Sequence, residues 1–102
     1  MILASKNGIP LATHLDRPEK NESFSALSAT IFGASDVIFT SFDKETPDMV
    51  VINSDETLLL IKGIGKSAVL AVMGSSSRKE TLEDIAEKVS TEIENSPGFS
   101  RK

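Results

Sequence analysis

A chain of 102 residues fits one domain, and a domain of that size buries only roughly 60–65% of the surface its unfolded chain exposes. With 39% hydrophobic and 25% charged residues the composition is that of a folded globular protein, not a disordered one. The net charge of −4 argues against nucleic acid or an anionic membrane surface as the main partner, and the lack of cysteine excludes disulfides and thiolate zinc sites.

The chain opens on a short apolar run, Ile2 to Ser5, without the basic and apolar regions of a signal peptide. A cytoplasmic protein is therefore expected. Asn7-Gly8 is a strong hairpin signal, suited to a type I′ turn, and Ile9 to Leu15 reads as the returning strand. Pro10 places that strand near a sheet edge. From Ser23 the period changes to three and four: Phe24, Leu27, Ile31, Ala34, Ile38 and Phe42 fall on one helical face. Asn21 or Ser23 is the expected cap, and the helix should end between Thr40 and Asp43, ahead of Pro47.

Three strands follow, at Met49–Asn53, Thr57–Lys62 and Ala68–Met73, with a turn over Gly63 to Ser67. Their apolar residues are continuous rather than alternating, as in Leu58-Leu59-Leu60-Ile61, which requires both faces of the sheet to be covered. A last helix carries Leu82, Ile85, Ala86, Val89 and Ile93 on one side and mainly carboxylates on the other, with Ser77 and Glu80 as a capping box. The order β-β-α-β-β-β-α predicts a three-layer α/β/α fold with a five-stranded, mainly antiparallel sheet. The domain is expected over 1–96, with 97–102 as a disordered tail.

The long helix is almost uncharged. Between Glu22 and Asp43 lie twenty residues with one charge, Asp36. If the stripe from Phe24 to Phe42 covers the sheet, Phe32 and Phe39 are left at the flank, and Ala26, Ala29, Gly33 and Val37 form a small-residue back. Leaving the two phenylalanines in water forgoes about 1.5–3 kcal/mol each. A second protein chain, most simply a second copy, is expected to cover them. Although long, the helix is not read as a membrane span, because Asp36 and many hydroxyls interrupt it.

Chemistry-bearing motifs are sparse. Gly63-Ile64-Gly65-Lys66-Ser67 has the look of a phosphate loop, but the required first glycine is Leu60 and a strand follows instead of a helix. His14 is the only histidine, and Asp43, Glu45 and Asp48 read as solvated loop residues. No catalytic, cofactor or metal residues are assigned, and the chain is read as a non-enzyme.

Ile2-Leu3-Ala4-Ser5-Lys6-Asn7-Gly8-Ile9-Pro10-Leu11-Ala12, the small-and-apolar helix after it and the strand–glycine turn–strand segment from Thr57 to Val72 together resemble the Roadblock (dynein light-chain roadblock) family. The resemblance covers about residues 2 to 95. It implies a Roadblock/profilin-like fold of the stand-alone archaeal or bacterial type, dimerising through its central helices and adjoining edge strands. It also implies a regulator or scaffold for a small Ras-like GTPase. The family's helix before the first strand has no counterpart here, and a partner is one possible source of it. The expected interface is Ala26, Ala29, Phe32, Gly33, Asp36, Val37, Phe39 and Val51. Two other readings stay open: a profilin/PAS-like small-ligand sensor, and a structural subunit heterodimerising with another Roadblock protein.

Overall fold

The computed structural model describes residues 1–13 and 18–95. His14 and the end of the expected second strand lie outside the described residues, as does the tail from 97 onward. Five strands form one sheet: β1 (Ile2–Ser5), β2 (Pro10–Thr13), β3 (Met49–Asn53), β4 (Thr57–Ile64) and β5 (Ala68–Ser75). Their spatial order is β2-β1-β5-β4-β3, and every neighbouring pair is antiparallel. Helix α1 (Asn21–Ser41) lies on one face over β1, β5 and β4, and α2 (Lys79–Glu94) covers β4 and β5 on the other.

The continuous apolar strands follow from this double cover. On the α2 side Leu58, Leu60, Ile64, Leu70 and Val72 join Leu82 and Ala86 in one core. Their sequence neighbours Ile61, Val69 and Ala71 turn the other way and join Ile2, Ala4, Ala29 and Phe32 in a second core beneath α1. Alternation of side chains along a strand feeds both layers from the same run of residues.

Four local expectations are corrected. Asn7-Gly8 does turn the chain, but only Gly8 has positive φ (88°), and its N–H donates to the Ser5 carbonyl. The turn is therefore a three-residue loop with a left-handed glycine, not type I′. Gly63 is a strand residue facing α1, because the loop is confined to the residues around Gly65 (φ 59°). Ser77 and Glu80 make no capping box: α2 starts later, and Ser75 accepts the Ser77 N–H at the preceding 3₁₀ turn. Neither Asn21 nor Ser23 caps α1, whose cap position is Lys20 with no side-chain cap bond.

The end of α1 is well defined. Asp43 adopts left-handed φ (60°), while the Lys44 N–H donates to Phe39 and the Asp43 N–H to Thr40. This is a Schellman closure with aspartate in glycine's usual place. By length and mean hydropathy α1 would also pass for a membrane span, contrary to the sequence reading. Only 22% of that stretch is buried, so packing on the sheet of its own chain accounts for just part of the hydropathy.

Candidate protein interaction site

Helix α1 presents Ser25, Ser28, Ala29 and Phe32 to the sheet, at helical steps of three and four. These residues are buried, and Phe32 is only 3% exposed. The stripe expected to face the sheet instead faces outward: Leu27 is 62% exposed, Ile38 58% and Phe42 71%. The sequence pattern located the apolar stripe correctly and gave it the wrong partner. Small residues hold the sheet side, because close approach to Ala4 and Ala71 excludes larger ones.

Phe32 is the exception, and a glycine receives it. A Cβ on Gly63 would lie 2.7 Å from the Phe32 ring. The ring thus fills the notch of a strand glycine, with the Lys6 ammonium 5.7 Å from its centroid. The Ser25 and Ser28 hydroxyls, both buried on the sheet side of α1, find no hydrogen-bond partner among the described residues.

The expected interface residues consequently divide. Ala29 and Phe32 belong to the chain's own core and are withdrawn from the surface. Ala26, Gly33 and Val37 form an exposed flank, and Ala26 touches the β1–β2 turn at Gly8. Phe39 is 44% exposed on the sheet-facing line beyond the last buried residue. Asp36 is half-buried and its carboxylate accepts the Thr46 hydroxyl at 2.8 Å. Val51 is half-buried on β3.

Around α1 three faces therefore stand about 120° apart: the sheet side, the small flank toward the hairpin, and the large apolar stripe. Phe24 and Ile31 of that stripe pack against the same core as Val50 and Leu59, so the stripe leans toward β3. Ile52 (42% exposed) and Met73 (53%) extend the apolar surface on the same side of the sheet.

The two edges of the sheet differ in the same direction. Strand β2 has four residues, begins with a proline that lacks an N–H, and pairs across a register shift beside Leu3 and Ala4. These features blunt an edge. Strand β3 is the apolar run Met49-Val50-Val51-Ile52, ending at Asn53, without such a guard. Asp48 and Ser54 bond inward to Gly63 and Thr57, so alternation turns the N–H and C=O of Met49, Val51 and Asn53 toward the open side.

A polar groove of about 560 Å³ crosses the end of the sheet, lined by charged residues including Lys6, Asp48, Lys62 and Glu87. Among the described residues, no group of three or more histidine, cysteine or carboxylate side chains could hold a metal ion. Gly63 lies in β4, and the short loop around Gly65 leads straight into β5, so no helix follows the glycines to receive a phosphate.

The fold is thus a three-layer α/β/α domain that leaves an apolar helix stripe exposed beside an unguarded apolar edge strand. The Roadblock/LC7 domain model matches residues 1–73, and the chain belongs to that family. No curated protein sequence matches it significantly. Among solved structures, a Roadblock/LC7 domain from Streptomyces avermitilis is similar with a TM-score of 0.83 at 21% identity, over 90% of this chain and 78% of that one. MglB from Myxococcus xanthus gives 0.77 at 16%, over 89% and 75%. The gliding protein MglB from Thermus thermophilus gives 0.70 at 16%, over 89% and 70%. At such identities these structures bear on the fold, which they share with this chain.

Proposed function

We propose that this protein is a homodimeric, non-enzymatic regulator or scaffold for a small Ras-like GTPase. The observation that carries the dimer is the stripe Leu27-Ile31-Ala34-Ile38, exposed except at half-buried Ile31, beside the unguarded β3 edge. Its spacing of four, three and four is that of a helix-pairing seam. A twofold axis between α1 and β3 would pair the stripe with its copy and align the two β3 strands around Val51, joining two sheets into one. The stripe replaces Ala29 and Phe32 in the proposed interface, Val51 is kept, and Gly33 with Val37 stays outside it. The GTPase rests on Roadblock family membership and docks on the assembled pair.

Sedimentation at micromolar concentration tests the dimer, and a monomer there sinks it. Binding of a GTP-loaded Ras-like GTPase from the same genome, measured with the wild-type dimer, tests the partner. The ligand-sensor reading finds less support, since the Phe32 ring fills the contact between α1 and the sheet at Gly63.

A further inference from the structure

Lys62 stands alone as a charge inside β4, in the otherwise apolar run Leu58-Leu59-Leu60-Ile61-Lys62-Gly63-Ile64. Its side chain is 7% exposed, and its ammonium lies 3.1 Å from Asp48 Oδ2 and 3.5 Å from Glu87 Oε2. The two carboxylates come from different places. Asp48 immediately precedes β3, and Glu87 belongs to α2 on the far side of the sheet from α1. Asp48 also supplies the first rung of the β3–β4 ladder, its carbonyl accepting the Gly63 N–H at 3.3 Å. Two residues earlier, the Thr46 hydroxyl donates to Asp36 of α1. The segment that launches the edge strand is thus fastened to both helices, on one side through a buried ammonium.

A leucine at this position would fill the core without desolvating a charge, and replacing buried ion pairs by apolar residues is often neutral or stabilising. The lysine is therefore not explained by stability alone. We infer that Lys62 is a positioning residue that ties the start of β3 to α2, so that the order of the open edge is set from the opposite face of the sheet. The fastening follows from the fold itself; its consequence for pairing rests on the dimer proposed above.

The full-length protein tests this by amide hydrogen exchange across β3 and β4, read beside sedimentation and thermal unfolding. Lys62→Met is expected to keep the melting temperature and to raise exchange at Val50 and Gly63 by about tenfold or more. Glu87→Gln leaves the lysine and Asp48 in place, yet is expected to raise exchange at the same amides by about threefold. That second variant keeps the inference testable if the first does not fold. Unchanged β3 exchange in Glu87→Gln overturns it. Exchange that rises while the wild-type protein sediments as a monomer upholds the fastening and removes only the dimer.

Discussion

The two helices dock by the same device and differ in what they leave outside. Each presses one large side chain onto a strand glycine: Phe32 onto Gly63 beneath α1, and Leu82 onto Gly74 beneath α2, where a Cβ would lie 2.9 Å from the leucine methyls. Around that anchor α2 buries Ala86 and Ser90 and turns Glu80, Asp84, Glu87 and Glu92 to water. Helix α1 buries four residues and turns Leu27, Val37 and Ile38 outward. An outer face of carboxylates completes a domain, whereas an outer face of large aliphatics leaves one unfinished.

The largest expected effect removes an anchor. Phe32→Ala should destabilise the fold by about 3–5 kcal/mol and Leu82→Ala by about 2–5 kcal/mol, measured by urea unfolding. Similar values for both would establish that the helices are docked alike despite their different surfaces. Next comes the stripe. Leu27→Glu or Ile38→Glu should weaken association by about 2 kcal/mol or more, roughly thirtyfold in Kd by sedimentation equilibrium. Gly33→Arg, on the opposite flank where a new side chain meets open space, should leave the dimer intact. A dimer broken by Gly33→Arg and not by Leu27→Glu would reverse the assignment of faces.

Smaller effects separate the two notches. Gly63→Ala should cost about 1–3 kcal/mol, because the new methyl meets a rigid ring held in the core. Gly74→Ala meets the flexible end of a leucine and should cost less, as thermal unfolding can compare. Least of all, Ser25→Ala and Ser28→Ala should each change stability by no more than about 1 kcal/mol, with gain the expected sign. Both remove a buried hydroxyl that has no partner among the described residues.

Much of the fold was legible because periodicity is a local property. The change from short apolar runs to steps of three and four places α1 within a residue or two of its observed limits, Asn21 and Ser41. The unbroken runs in β4 and β5 required two covered faces, and both are covered. Of the proposed interface, the exposed apolar surface on α1 was legible in the shortage of charge between Glu22 and Asp43, and Val51 falls on the open edge. Ala29 and Phe32 were misplaced because a hydrophobic stripe says that burial is needed without saying by what. The missed signal was Gly63: a glycine inside an apolar strand marks close approach, and Phe32 is what approaches.

The number, order and kind of the strands and α-helices can be read from local pattern, since each depends on residues within a few positions of one another. The same pattern shows that one helix carries more apolar surface than a sheet can use. Which side of that helix meets the sheet depends on long-range packing. Serines and alanines at 25, 28 and 29 let α1 approach Ala4 and Ala71 closely around a single ring, a matter of shape between residues far apart in the chain. The larger side chains, too bulky for that contact, were thereby turned toward β3 and the open edge.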